Sequence, residues 1–173
     1  MAISGGSLVN VLKACLIDDK ELASKVQWAK WHVYFCDERL VPLDDADSNY
    51  GAFKKAVLDP LSHHGGHTCS LFPGEKHRYL IEESQKKVAW CHDSPKPPSD
   101  RITFTFPVIS QARNIAFVAE GASKQPIMQS IFDNKDQQLP TALINARYSD
   151  KVCWFVDEAA FATVKDTTAV FKN

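Results

Sequence analysis

The stretch Trp31-His32-Val33-Tyr34-Phe35-Cys36 is rich in aromatic and β-branched residues and predicts a buried β-strand. An apolar helical face precedes it in the chain, made by Leu8, Val9, Val11, Leu12 and Leu16. A helix followed by a strand is typical of α/β proteins.

The later sequence continues this alternation. Apolar runs predict strands at residues 88–91, 101–106, 115–119 and 152–156, and helical patterns cover residues 50–58, 123–132 and 158–164. Pro60 is expected to end the first of these helices. The Pro-rich residues 93–100 are short and lead directly into a strand, so we expect an ordered connection and one domain over residues 1–173.

Composition restricts the class of protein. The 173 residues are 45% hydrophobic and 24% charged, with a net charge of -1, which is typical of a globular domain and gives no general attraction to nucleic acid or anionic membranes. No apolar run has membrane-spanning length and no secretory signal is recognisable, so a cytoplasmic location is expected. Five scattered cysteines favour reduced thiols over a disulfide framework.

A histidine behind two glycines is the first candidate catalytic group. In Gly65-Gly66-His67-Thr68-Cys69-Ser70-Leu71-Phe72-Pro73-Gly74, the glycines leave His67 on a bare turn where a substrate can reach it. His67 is therefore a candidate general base, and a solvated loop histidine is the alternative. A metal site of His63, His64, His67 and Cys69 is disfavoured, because the spacing lacks a second ligand pair.

Three other segments offer contacts for an anion. Ser4-Gly5-Gly6-Ser7 before a helix is either a phosphate cradle or an ordinary N-cap, and only three residues precede it, so no supporting strand is expected. Asp37-Glu38-Arg39 follows the apolar strand, at the end where ligands bind in α/β sheets. Arg101 opens a strand and Lys124 starts a helix; solvated surface charges are the alternative for all of these.

Taken in order, these motifs resemble the 6-phosphogluconolactonases, within the wider family that includes glucosamine-6-phosphate deaminase. The resemblance covers nearly the whole chain. Among the members of the family, the sequence resembles the fungal proteins most. Its motifs are Ser4-Gly5-Gly6-Ser7-Leu8, Phe35-Cys36-Asp37-Glu38-Arg39, Asp47-Ser48-Asn49-Tyr50-Gly51, Gly66-His67-Thr68-Cys69-Ser70-Leu71-Phe72-Pro73, Asp93-Ser94-Pro95-Lys96-Pro97-Pro98, Arg101-Ile102-Thr103, Gly121-Ala122-Ser123-Lys124 and Leu139-Pro140-Thr141-Ala142-Leu143.

The resemblance implies a doubly wound α/β fold with a mostly parallel, Rossmann-like sheet. It implies hydrolysis of 6-phospho-D-glucono-1,5-lactone to 6-phosphogluconate in the oxidative pentose phosphate pathway, without cofactor or metal. The partner is then a small sugar-phosphate lactone, with neither nucleic acid nor membrane involved.

The family's functional residues map onto positions of this chain. The resemblance assigns His67, Arg39 and Asp37 to catalysis, with His67 taking a proton from the water that attacks the lactone carbonyl. It assigns substrate phosphate binding to Gly5, Gly6, Ser7, Arg101 and Lys124.

The chain also departs from the family pattern. A strand before Ser4 is expected to be missing, and so is a piece of roughly 30 residues or more, the size of a βαβ unit, between Leu61 and Gly66. Gly65 replaces an acidic residue that supports the histidine. We therefore expect an incomplete sheet. A catalytically weak or silent sugar-phosphate-binding protein is the alternative function, and an amino sugar phosphate deaminase is a third.

Overall fold

The computed structural model describes residues 1–61 and 84–166. The chain divides into two compact units, Met1–Ile109 and Ser110–Asn173. The combination of helices with parallel and antiparallel strands is an α/β architecture, as predicted. No helix in the described part of the chain is long and apolar enough to cross a membrane.

The first unit has two small sheets. β1 pairs with β2 in parallel, and β3, β5 and β4 form an antiparallel sheet in that order. The elements in chain order are β1 (Ala2–Ile3), α1 (Ser7–Lys13) with a π turn (Ala14–Asp18), α2 (Lys20–Lys25), a 3-10 turn (Trp28–Lys30), β2 (Tyr34–Phe35), β3 (Asp37–Arg39), α3 (Asn49–Phe53) with a π turn (Lys54–Leu58), α4 (Asp59–Leu61), β4 (Val88–Cys91), β5 (Arg101–Phe104) and α5 (Phe106–Ile109).

The core of this unit lies between the parallel pair and the helices. Phe35 and Phe53 meet edge to face with ring centroids 6.0 Å apart, a favourable aromatic geometry. The buried core residues are Ile3, Val9, Val33, Phe35, Phe53, Val57 and Leu61.

The expectation that no strand precedes Ser4 is wrong. Ala2 and Ile3 form β1, and Ile3 is buried with 3% of its surface exposed. The Ile3 carbonyl accepts a hydrogen bond of 2.7 Å from the Cys36 amide, and the Met1 carbonyl accepts one of 2.9 Å from Tyr34. A local sequence pattern does not reveal this strand, because its partner lies 32 residues further along the chain.

The charged segment after β2 is also a strand, whereas the sequence pattern places these charges beyond the end of the apolar strand. Asp37, Glu38 and Arg39 form β3, antiparallel to β5. β4 and β5 are themselves antiparallel, because the short Pro-rich segment reverses the chain between them. The described sheets are therefore mixed, and the first unit alone does not display a mostly parallel sheet.

The helix predicted at residues 50–58 extends through Pro60, which does not end it. It runs from α3 through the π turn into α4. The π turn ends at Leu58, two residues before Pro60, and its wider spacing accommodates a residue that has no amide hydrogen to donate.

The second unit is built on the parallel pair β6–β7, whose bounds agree with the prediction. Trp154 of β7 stacks on Phe117 of β6 at 4.5 Å, and its indole nitrogen donates to Asn145 Oδ1 over 2.9 Å. The elements are β6 (Ile115–Ala119), a 3-10 turn (Ala122–Lys124), α6 (Gln125–Phe132), α7 (Pro140–Arg147), β7 (Val152–Val156) and α8 (Glu158–Phe161). The sequence patterns missed α7.

Candidate active site

Two predicted site arginines flank one predicted site carboxylate in the first unit. Asp37 Oδ2 lies 4.0 Å from Arg39 Nε and 3.9 Å from Arg101 Nη1. The three side chains point to one face because alternate residues of a strand share a face and Arg39 pairs directly with Arg101 across the ladder. We call these three residues the Asp37 cluster.

Backbone carbonyls hold both arginines of the cluster in place. Arg39 Nη1 donates to the Asp47 carbonyl over 2.8 Å, while Arg101 Nε and Nη2 donate to Pro98 and Lys96 over 3.0 and 2.8 Å. Arg39 Nε is buried and has no hydrogen-bond acceptor among the described residues. Two guanidinium groups against one carboxylate leave the cluster with a net positive charge, so it favours an anionic ligand.

The glycine loop connects β1 to α1 beside this cluster. Ser4 Oγ donates to Asp37 Oδ1 over 2.7 Å. A Cβ at Gly5 would lie 1.7 Å from Asn49 Oδ1, so only glycine fits there. Gly6 has a φ of 71°, and no side chain caps α1, which begins at Ser7. The loop that contains the predicted residues Gly5, Gly6 and Ser7 is thus attached to the Asp37 cluster through Ser4.

Glu38 faces away from the cluster, contrary to its interpretation as a ligand-facing charge. Only 4% of its surface is exposed. Its Oε1 accepts from the amides of Arg39 and Asn49 over 2.8 and 2.7 Å. Its Oε2 accepts from the Tyr50 amide over 2.7 Å and from Ser48 Oγ over 3.4 Å. The sequence contained one signal of this role, the alternation of a strand, which places Glu38 on the opposite face from its neighbours.

Cys36 precedes the cluster and is kept as a thiol. Burial, followed by the negative charge of Asp37, raises the pKa of Cys36 to about 11 from 9.0. A thiol with this pKa is not a nucleophile near neutral pH.

Lys124 lies in the second unit, within the 3-10 turn that precedes α6. The turn starts after Gly121, whose φ is 83° and whose amide donates to both carboxylate oxygens of Asp157 over 3.0 Å. Asp157 also accepts from the Ala160 amide at the start of α8 over 2.8 Å. One carboxylate therefore joins the ends of β6 and β7 and fixes the turn that carries Lys124.

The predicted base His67, and the group His63, His64 and Cys69 considered for a metal, lie outside the described residues. Within residues 1–61 and 84–166, no three His, Cys, Asp or Glu side chains gather as a metal site requires. The four cysteines in these ranges are free thiols.

The family model and the curated relatives that match this chain all belong to the same family. The model of the family described as glucosamine-6-phosphate isomerases/6-phosphogluconolactonase matches residues 1–65 and 64–154. The chain is 50% identical to 6-phosphogluconolactonase 3 of Saccharomyces cerevisiae, covering 97% of this chain and 85% of the yeast protein. It is 34% identical to human 6-phosphogluconolactonase, covering 92% of this chain and 78% of the human protein.

The fold agrees with solved structures of the same group. The 6-phosphogluconolactonase from Trypanosoma cruzi superimposes with a TM-score of 0.70 at 19% identity, covering 97% of this chain and 84% of that protein. The chain therefore belongs to the glucosamine-6-phosphate isomerase/6-phosphogluconolactonase family, among the 6-phosphogluconolactonases.

Proposed function

We propose that this protein hydrolyses 6-phospho-D-glucono-1,5-lactone to 6-phosphogluconate in the oxidative pentose phosphate pathway, in the cytoplasm. The observation that carries the proposal is the 50% identity to yeast 6-phosphogluconolactonase 3 over 97% of the chain. The positively charged Asp37 cluster supports it, because the substrate carries a phosphate and the product also carries a carboxylate.

His67 is the general base of the proposed reaction. Its neutral imidazole takes a proton from water as the water oxygen attacks the lactone carbonyl, and the same proton is available to the ring oxygen when the ring opens. Arg39 supplies a fixed positive charge for the oxyanion, and Asp37 orients Arg39 and the glycine loop. An activated ester needs no metal for this step.

Binding of the substrate phosphate orients the lactone ring. Arg101 and the amides of Gly5, Gly6 and Ser7 are its proposed contacts in the first unit. Lys124 is assigned to the same phosphate on the family resemblance alone. Such remote binding converts binding energy into orientation at the carbonyl.

The proposed function also implies that residues 1–173 form a single domain built on a doubly wound, mostly parallel sheet. The two parallel pairs, β1–β2 and β6–β7, are the kind of pairing that such a sheet contains. The solved relatives support the same architecture, since their fold matches over nearly the whole chain.

A second candidate function is a silent or weak sugar-phosphate-binding protein. The alignment with the yeast relative runs over 212 residues, which exceeds the 173 residues of this chain. The two stretches that match the family model meet at residues 64–65, beside the predicted base. Together these observations support an internal segment of the yeast relative without a counterpart in this chain, near the position of His67.

The test is hydrolysis of 6-phosphogluconolactone by the purified chain, corrected for spontaneous ring opening. His67→Ala is expected to lower kcat by about a hundredfold or more, as loss of a general base does. His92→Ala, at an exposed position after β4, is the matched control and keeps the wild-type rate.

Wild-type turnover equal to the spontaneous rate contradicts the enzyme proposal. Binding of 6-phosphogluconate without turnover then supports the silent binder. Ammonia release from glucosamine 6-phosphate would instead favour a deaminase.

A further inference from the structure

We propose that Glu38 is a positioning residue that fixes the glycine loop through Asn49 and thereby sets the affinity for the substrate phosphate. The inference rests on the proposed function, because it concerns the same site. Glu38 itself faces away from the Asp37 cluster, so its effect must be transmitted.

Glu38 caps a helix to which it is not adjacent in sequence. α3 already has a local cap, since Ser48 Oγ accepts from the Gly51 amide over 2.9 Å. A serine cap reaches the third amide of a helix and leaves the first two without partners. Glu38 accepts from those two amides, of Asn49 and Tyr50. The start of α3 is therefore attached to β3 by a buried carboxylate.

Asn49 carries this restraint to the glycine loop. It is 2% exposed, and its Nδ2 donates to the Asp37 carbonyl over 2.9 Å. Its Oδ1 occupies the space that a side chain at Gly5 would need. The carboxylate thus holds the backbone of Asn49, and the Asn49 side chain sets how close Gly5 approaches β3.

Helix stabilisation alone does not account for this arrangement. α2 is capped by Asp19, whose Oδ1 accepts from the Glu21 and Leu22 amides at an exposed position beside its own helix. A buried glutamate from another element costs desolvation that such a local cap avoids, and it needs all of its hydrogen bonds to offset that cost. What the distant carboxylate adds is a fixed distance between β3, α3 and the loop.

The experiment compares Glu38→Gln, Asn49→Ala and Asp19→Ala with the full wild-type chain. Gln has the shape of Glu but presents an NH2 group to amides that need an acceptor. Asn49→Ala keeps the carboxylate cap and removes only its connection to the loop. Asp19→Ala removes two carboxylate–amide hydrogen bonds outside the site and is the matched control for stability.

Steady-state kinetics on 6-phosphogluconolactone and on unphosphorylated glucono-1,5-lactone provide the readout. We expect Glu38→Gln and Asn49→Ala each to raise KM for the phosphorylated lactone about tenfold, with a much smaller change on the unphosphorylated one. The double variant should be no worse than either single one, because both interrupt one connection. Asp19→Ala should leave both substrates unchanged.

An equal loss on both lactones, or multiplying effects in the double variant, would overturn the positioning role. If Glu38→Gln does not fold, Asn49→Ala decides: an unchanged KM for the phosphorylated lactone contradicts the inference. If the wild type hydrolyses neither lactone, the proposed function fails separately, and affinity for inorganic phosphate decides the inference. Tenfold weaker phosphate binding by the two variants, with Asp19→Ala unchanged, then supports it, and equal binding refutes it.

Discussion

Glu38 in the first unit and Asp157 in the second perform related tasks in different surroundings. Each carboxylate caps a helix and holds a segment that bears predicted phosphate contacts. Asp157 is exposed, caps the helix that directly follows it and reaches the Gly121 amide. Glu38 is buried and caps a helix that begins 11 residues later.

The two carboxylates differ in whether their roles can be predicted from the neighbouring sequence. An aspartate just before a helical pattern is a familiar N-cap signal, so the first role of Asp157 is readable from sequence. A glutamate within a strand carries no sequence signal that it caps a helix. Burial also changes the energetics, because a lost partner in the interior leaves amides that water cannot reach.

The most severe disruption of the first unit is expected from Gly5→Ala. The new Cβ would lie 1.7 Å from Asn49 Oδ1, and Asn49 must then leave its buried hydrogen bond to Asp37. We expect the free energy of unfolding to fall by about 4 kcal/mol, measured by urea denaturation.

Gly121→Ala is the counterpart in the second unit. Nothing lies within 4 Å of its Cβ position, although its φ of 83° disfavours alanine. About 1–2 kcal/mol of backbone strain is the expected cost. Equal destabilisation by the two alanines would show that Asn49 does not constrain Gly5.

Removal of each carboxylate tests the comparison directly. Glu38→Ala leaves the Asn49 and Tyr50 amides buried without acceptors, so we expect a loss of about 3 kcal/mol in the free energy of unfolding. Asp157→Ala leaves the Ala160 and Gly121 amides to hydrogen-bond with water. The free energy of unfolding should therefore fall by about 1 kcal/mol, as for an ordinary cap. Losses of similar size in thermal or urea unfolding would mean that the burial of Glu38 has no energetic consequence.

A smaller effect is expected from the thiols at alkaline pH. The pKa of Cys36 is raised in the folded state, so the protonated thiol contributes stability fully below pH 9, and this contribution is lost as the pH rises through about 11. Relative to Cys36→Ala, the wild type should lose about 2 kcal/mol of unfolding free energy between pH 8 and pH 11.

Cys153, which is exposed on β7, provides the control for this effect. Cys153→Ala should show the same alkaline loss as the wild type in parallel urea titrations. A Cys36→Ala curve that follows the wild type at every pH would contradict the shifted pKa.

Sequence patterns predicted the elements whose signals are local. The bounds of β6 and β7 were correct because each is a five-residue apolar run between polar segments. The patterns failed at β1 and β3, since two residues are too few to show a period and charged residues rarely form strands. Both strands pair with segments that are distant in the sequence. β1 pairs with β2 (Tyr34–Phe35), and β3 pairs with β5 (Arg101–Phe104).

The candidate site was predicted by residue type more fully than by geometry. The sequence motifs indicate Asp37, Arg39 and Arg101, but the contact between these side chains depends on the antiparallel register of β3 and β5. Gly5 was assigned to phosphate binding, whereas its close approach to Asn49 is a packing requirement that no motif encodes. The functional importance of His67 stays a prediction.

Gly5 and Gly6 are adjacent in the loop but differ in how closely other atoms surround them. Gly5 is wedged against Asn49, while a Cβ at Gly6 would meet nothing within 4 Å. Gly5 is therefore held in place when the protein folds, before any ligand arrives. Since fixing the backbone of one residue costs about 1–2 kcal/mol, an anion that binds to the Gly5 amide would avoid that cost for Gly5. Preorganisation of this kind would let the phosphate that we propose for this loop contribute affinity without first having to order Gly5.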